Sequence, residues 1–153
     1  MGWFDWLRKE PPPIIVHRVF GRLRAAHRPK DGPWLWEPLE WMETPHGKVF
    51  VHLNAGEPGP SALHESQWEQ IATRVDSLTQ AAAPLIGEEL KNWEVAFDPN
   101  AAWDEITWEG AELLGNTDPE NDFALVYACK SWPDAMITVY FKNGRPTLSR
   151  LDD

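Results

Sequence analysis

The histidines of this chain are the first side chains to consider for metal chemistry. His64-Glu65 begins like the zinc-binding helix motif HExxH, in which a second histidine must stand four positions after the first. Trp68 occupies that position, so we interpret His64 as a surface residue at the start of a helix. His46 and His52 share strand parity and could face one side of a sheet, but two histidines without an acidic third are typical of a polar strand face.

The sequence also gives little support for a nucleophile or for an acid–base pair. Cys129 lies in the most apolar run of the chain, where we expect a small buried side chain rather than a reactive thiol. Asp104, Glu105, Glu109 and Glu112 could supply acid–base pairs, but alternating acids are also typical of a solvent-facing strand. Phosphate-binding loops and the GxSxG motif are missing from the sequence. We predict a protein that is not an enzyme, with no catalytic residues, no metal and no cofactor.

Charge is distributed unevenly along the 153 residues, whose net charge is −10. Residues 1–30 carry seven basic side chains and two acidic ones, whereas residues 88–122 carry eleven acids and one lysine. This acidic balance, with a pI near 4.9, argues against nucleic-acid binding, which depends on Lys and Arg neutralising phosphates. It favours a basic protein partner; the alternative is a solvated surface that binds nothing.

Tryptophan is unusually frequent, with ten residues in the chain. A small core rarely holds so many, and tryptophan is enriched among the residues that dominate binding energy at protein interfaces. Three of them, Trp93, Trp103 and Trp108, fall inside the acidic stretch, which also contains the loops that we expect at 98–102 and 115–122. The predicted partner-binding residues are Trp103, Trp108, Glu109, Glu112, Asp118 and Glu120.

Strand patterns dominate both ends of the chain. Ile14–Arg24 reads as one strand, and Trp34–Met42 and Lys48–Asn54 read as a hairpin around a turn at 44–47. After the helix, strands are predicted at 105–114, 123–130, 136–142 and 145–151. Asn143-Gly144 between the last two is a strong hairpin signal.

A helix is predicted between these two groups of strands. Ser66 and Glu69 fit a capping box, and Ser61 is a second possible cap. Apolar residues then recur at helical spacing from Trp68 onward, and Pro84 is expected either to kink the helix or to start another one. The expected apolar face comprises Trp68, Ile71, Ala72, Val75, Leu78, Ala82, Leu85 and Ile86.

The order βββ-α-ββββ predicts an α+β fold: an antiparallel sheet of about six to seven strands with one long or kinked helix packed on one face. We divide the chain into an N-terminal amphipathic segment with a proline linker, residues 1–13, and a single α+β domain, residues 14–153. Apolar runs are too short for a membrane span, and no secretory signal is evident.

Several short segments of the chain resemble a group of uncharacterised bacterial α+β domains. The similarity spans roughly residues 14–151, with five extra residues at 62–66 and a Trp-rich N-terminal extension. The resembling pieces are Val19-Phe-Gly-Arg-Leu23, the Trp-rich strand with Trp34, Trp36 and Trp41, Gly59-Pro-Ser61 before a helix with Gln67, and Phe141-Lys-Asn-Gly-Arg-Pro146.

Some domains of this group look like immunity proteins, which bind antibacterial toxins in the cytoplasm. The resemblance implies a non-enzymatic cytoplasmic domain that neutralises a cognate toxin, a basic protein, by covering its active site. The first alternative is a housekeeping or regulatory interaction domain without a toxin partner. The second is a small metal-dependent hydrolase.

Overall fold

The structure, a computed structural model, describes residues 11–153. Residues 1–10, most of the predicted amphipathic segment, lie outside the described residues. The described chain forms nine strands, two α-helices and a short 3₁₀ turn at Pro99–Ala101. Their bounds are β1 (Ile14–His17), β2 (Gly21–His27), β3 (Trp34–Pro38), β4 (Met42–Thr44), β5 (Gly47–Ala55), α1 (Ala62–Asn92), α2 (Ala102–Glu105), β6 (Ile106–Leu113), β7 (Phe123–Cys129), β8 (Trp132–Lys142) and β9 (Arg145–Asp152).

The strands form one mixed sheet in the order β1-β2-β3-β5-β6-β7-β8-β9, with β4 also paired to β5. Neighbours are antiparallel except β5 and β6, where Phe50–Leu53 runs parallel to Gly110–Leu113. The α+β class is confirmed, but the purely antiparallel sheet of six to seven strands is wrong. Because α1 carries the chain across the sheet between β5 and β6, β6 starts in the same direction as β5.

Two predicted strands are each divided in the structure, which raises the strand count. The Ile14–Arg24 segment turns between β1 and β2, where His17 Nδ1 accepts a hydrogen bond from the Val19 amide at 3.1 Å. Gly21 follows with φ +70°, a conformation that favours glycine. The Trp34–Met42 segment likewise breaks after Pro38, so β3 and β4 contact different parts of β5.

Helix α1 begins at Ala62, four residues before the predicted cap at Ser66. Ser61 is the N-cap residue, and its amide donates to Nδ1 of His64 at 3.0 Å. The helix continues without a break through Pro84, whose side chain is exposed. It is therefore one long helix of 31 residues rather than two.

The predicted apolar face of α1 packs against one face of the sheet, except for Ala72, which is exposed. Ile71, Val75 and Leu78 are buried in the same core as Tyr127 and Val139. Thr79 Oγ1 lies 2.8 Å from the hydroxyl of Tyr127, which supplies the polar partner that a buried phenol requires. Burial raises the pKa of that hydroxyl above its usual value. Among the described residues, no helix is both long enough and apolar enough to cross a membrane.

The other side of the sheet, here called the open face, carries the alternate residues of each strand. Phe50 and His52 of β5 lie there, beside Gly110 and Glu112 of β6. The Phe50 ring lies directly over Gly110, where an added Cβ would stand 2.5 Å from the ring. This glycine allows the β5 ring to pack onto the backbone of the parallel neighbour.

Candidate functional site

Three tryptophans lie at the end of the sheet where β6 begins and β7 ends. Trp93 is the C-cap residue of α1 and is 52% exposed. Its ring centroid is 5.6 Å from that of Trp132, at the start of β8. Trp103 belongs to α2, and its carbonyl accepts a hydrogen bond from Nζ of Lys130 at 3.0 Å. We call this surface, formed by Trp93, Trp103 and Trp132, the tryptophan end.

Local hydrogen bonds hold the segment that carries Trp103. Oδ1 of Asp98 accepts from the Asn100 amide at 2.9 Å and so begins the 3₁₀ turn. The Asp98 amide in turn donates to Oε1 of Glu105 at 3.2 Å. The Lys130 amide donates to the Glu105 carbonyl at 2.8 Å, which fixes this segment to the sheet. Trp103 is therefore held on a structured connection between α1 and β6.

His46 links Trp103 to the helix. It stands in the turn between β4 and β5, and its ring is stacked on that of Trp103 with centroids 4.5 Å apart. Nε2 of the same imidazole lies 2.9 Å from Oδ1 of Asp76 on α1. The turn, the helix and the Trp103 segment thus meet at one histidine.

Clefts border Trp103 on two sides. The first, of about 450 Å³, lies between α1 and the 3₁₀ turn, with Asp76, Gln80 and Asn100 in its lining. The second, of about 390 Å³, is lined by His46, Trp108, Lys130 and their neighbours. Trp103 lines both clefts, and His46 lines the second.

The charged side chains around the tryptophan end are mainly acidic. Within two positions of the three tryptophans the chain carries four acids and two lysines, and Asp76 and Asp98 add two further carboxylates. One of these lysines, Lys130, directs its amino group to the Trp103 carbonyl. The four neighbouring acids are Glu94, Asp104, Glu105 and Asp134.

The predicted partner-binding residues do not form one patch. Trp103 is partly exposed at the tryptophan end. Trp108 is only 2% exposed, stacks on Trp68 and donates its indole N–H to the Gly110 carbonyl at 2.8 Å. Its size and its place on the helix face of β6 make it a core residue, so almost none of its surface is available to a partner. Glu109 lies at a bulge in β6 between Trp108 and Gly110.

The remaining three predicted residues lie elsewhere. Glu112 is on the open face beside His52. Burial raises the pKa of the Tyr140 hydroxyl, and the negative charge of Glu112 raises it further. Asp118 and Glu120 belong to the loop after β6, so the strand separates them from Trp103. Seven steps along β6, from Ile106 to Leu113, span about 23 Å at the usual rise of a strand.

Asp118 organises its own loop. Its carboxylate accepts hydrogen bonds from the Glu120 amide at 2.8 Å and from Nδ2 of Asn121 at 3.2 Å. These bonds favour the ionised form, with the bond from the Glu120 amide contributing most, so the pKa of Asp118 is below its usual value. The carboxylate of Asp122 plays a similar part, accepting from Nζ of Lys142 and from the Asn143 amide.

The residues considered for metal and nucleophilic chemistry are dispersed. His46 contacts Asp76 on the helix, whereas His52 lies on the open face with Nε2 4.0 Å from Glu37. His64 is buried at 4% exposure, so the expected surface position is wrong. Cys129 is buried as expected, with Sγ 3.2 Å from the Ser131 hydroxyl. Residues 11–153 contain no group of three or more His, Cys, Asp or Glu side chains placed to hold a metal ion.

Sequence reasoning missed His46 and Asp76 as neighbours of Trp103. They are 30 residues apart and belong to a turn and a helix, so no periodicity connects them. Their contact depends on where α1 crosses the sheet, which only the tertiary structure defines.

Comparison with known proteins assigns no family to this arrangement. We found no family model, no curated protein and no solved structure that matches the chain. The geometry of the described residues is therefore the basis on which a function is proposed.

Proposed function

We propose that this chain is a protein-binding domain whose tryptophan end binds a basic protein partner. In the form implied by the resemblance, the partner is an antibacterial toxin, and the domain neutralises it in the cytoplasm by covering its active site. The observation that carries the proposal is the combination of one exposed and two half-buried tryptophans with an excess of acids at neighbouring positions of the chain. The proposed role requires no catalytic residue in this chain.

Three arginines near the start of the chain are paired with acids within the fold. Arg18 binds Glu65 of α1, Arg24 binds Glu37 of β3, and Nη2 of Arg22 lies 3.4 Å from Glu40. Three of the seven basic side chains of residues 1–30 are therefore paired with acids from later parts of the chain. The net negative charge of the protein is left on other surfaces, among them the tryptophan end.

This surface suits a basic partner for two physical reasons. Tryptophan supplies much of the binding energy at interfaces because a large rigid ring buries apolar area at a small entropic cost. Carboxylates around such rings raise the rate of encounter with a positively charged protein. A specific interface buries about 800 Å² on each partner, which a surface including all three tryptophans could provide.

Toxins that act on nucleic acid or anionic nucleotides have basic active-site clefts, and an acidic domain can cover such a cleft. A regulatory interaction domain could use the same surface on a partner that is not toxic. The two functions can be distinguished by growth. A toxin stops growth when it is expressed alone, and co-expression of this chain restores growth; a partner that is not toxic has no such effect.

The test uses two purified proteins, this chain and the protein encoded next to it in the genome of its source. Association rates are measured at low and high salt for wild type and for a variant with Glu94→Lys, Asp104→Lys and Asp134→Lys. We expect slower association and a weaker salt dependence in the variant, with a smaller change in dissociation. The comparison variant, Glu120→Lys, tests the loop at the far end of β6.

Equal association rates for wild type and the triple variant would contradict a role of the tryptophan end. Slower association in Glu120→Lys alone would instead indicate that the partner binds at the loop 115–122. Growth inhibition by the neighbouring protein that co-expression fails to relieve would contradict the immunity function, while leaving a regulatory complex as the explanation of binding.

A further inference from the structure

The first cleft beside Trp103 has the chemistry of a site for a single cation. Asp76, Gln80, Asn100 and Trp103 are among the residues that line it, so a carboxylate, two amide side chains and an aromatic residue border the cleft. None of the residues that line it carries a positive charge. An aromatic face and a carboxylate on one concave surface attract the same class of ligand, a positively charged side chain.

His46 contacts both Trp103 and Asp76. Its ring is stacked on Trp103, while its Nε2 lies 2.9 Å from Oδ1 of Asp76. The Asp76 carboxylate is therefore held beside the indole, and its second oxygen remains available. Because the imidazole is stacked on Trp103, the indole cannot turn without losing this contact.

We propose that this cleft binds an arginine side chain of the protein partner, with the guanidinium stacked on Trp103 and hydrogen-bonded to Asp76. Arginine fits better than lysine because a planar guanidinium stacks on a ring while directing several N–H donors outward in the same plane. The amide oxygens of Gln80 and Asn100 can accept from the remaining donors. This inference rests on the proposed function, and it specifies which side chain of the basic partner is recognised.

The experiment titrates the full chain with three blocked peptides that differ only at the central residue: Gly-Arg-Gly, Gly-Lys-Gly and Gly-citrulline-Gly. Binding is followed by NMR through the indole N–H of Trp103, assigned with a Trp103→Phe variant. We expect saturable shifts with the arginine peptide, weaker binding of the lysine peptide and none of the citrulline peptide. Citrulline keeps the shape of arginine but lacks its charge.

Asp76→Asn tests the carboxylate while preserving an oxygen that can accept from His46. We expect this change to weaken arginine binding about tenfold, as the loss of one charge-assisted hydrogen bond would. Glu120→Gln removes the same charge far from the cleft and is expected to leave binding unchanged.

Equal binding of the arginine and citrulline peptides, or unchanged binding in Asp76→Asn, would overturn the arginine site. That result would leave the proposed function intact if the triple variant of the tryptophan end still slows association with the partner. Conversely, arginine binding in the cleft together with salt-independent association would contradict the proposed function but not this site.

Discussion

At the scale of single residues, two buried polar side chains attach the start of α1 to the ends of β5 and β6. The amide of Gln67 both donates to the Gly115 carbonyl and accepts from the Gly115 amide, each at 3.0 Å. His64 accepts from the Ser61 amide through Nδ1, which leaves Nε2 to donate to the Asn54 carbonyl at 2.7 Å. Gly115 has φ +57°, and an added Cβ would stand 2.5 Å from the His64 ring.

These hydrogen bonds require a neutral His64, and burial lowers the pKa of its imidazole below the usual 6.5. Since the folded state then binds fewer protons than the unfolded chain, His64 stabilises the fold fully above that value. The contribution is lost as the pH falls from about 6.5 through the folded pKa. We expect the urea midpoint of the wild type to fall over this range and that of His64→Gln to fall less.

His27→Gln is the matched control for this pH dependence, because His27 is exposed on β2. Its urea midpoint should change with pH in the same way as that of the wild type. If His64→Gln and the wild type show parallel midpoints from neutral to acidic pH, protonation of His64 does not contribute to acid instability.

At the scale of secondary structure, α1 is the element on which both the core and the candidate site depend. Its 31 residues extend about 46 Å at the usual rise of a helix. One face buries Ile71 and Leu78 against the sheet, and the neighbouring position Asp76 is exposed and reaches His46. The packing of the apolar face therefore determines where the Asp76 carboxylate lies.

Ile71→Ala should lower the free energy of unfolding by about 2–5 kcal/mol, since the side chain is fully buried and its removal leaves a cavity. Leu63→Ala on the same helix is the control, because Leu63 is 45% exposed, and its effect should stay within about 0.5 kcal/mol. Denaturant titration of both variants measures the difference. Similar small losses would mean that the α1 face at Ile71 is not packed as described.

Local patterns predicted the elements better than their arrangement. The helical spacing of Ile71, Val75 and Leu78 predicted the buried face of α1, and Asn143-Gly144 adopts the positive φ values, 52° and 75°, of the predicted hairpin turn. The parallel pairing of β5 with β6 was not predicted, because strand direction depends on the path of the whole helix between them.

The candidate site was predicted least well, and burial explains much of the difference. Trp103 and Trp108 are both tryptophans in one acidic stretch, yet the first is partly exposed and the second is in the core. The bulge in β6 at Glu109 shifts the alternation of buried and exposed residues between Trp108 and Glu112. A bulge of this kind has no clear pattern in the sequence.

At the scale of the whole molecule, the uneven charge along the chain is partly balanced by folding. Arg18, Arg22 and Arg24 lie beside acids from later parts of the chain, namely Glu37, Glu40 and Glu65. Surface pairs of this kind add little stability, but they remove a positive field that the sequence alone suggests. The folded protein thus presents less basic surface than its first 30 residues indicate.

Replacing these three acids by glutamine should expose that field. The variant with Glu37→Gln, Glu40→Gln and Glu65→Gln is expected to bind a heparin column at low salt, whereas the wild type passes through. The control, with Glu57→Gln, Glu88→Gln and Glu120→Gln, has the same net charge but keeps the arginine pairs. Equal retention of the two variants would show that net charge, rather than the pairing, controls binding to the polyanion.

The parallel pairing of β5 with β6 also affects the rate of folding. Hairpins such as β8–β9 join residues a few positions apart, whereas Phe50 pairs with Gly110, 60 positions along the chain. Closing so long a loop costs chain entropy before the contacts can repay it. The two antiparallel halves of the sheet can each assemble early. We therefore expect their union along the β5–β6 pairing, with α1 packed across it, to be the step that limits the rate of folding.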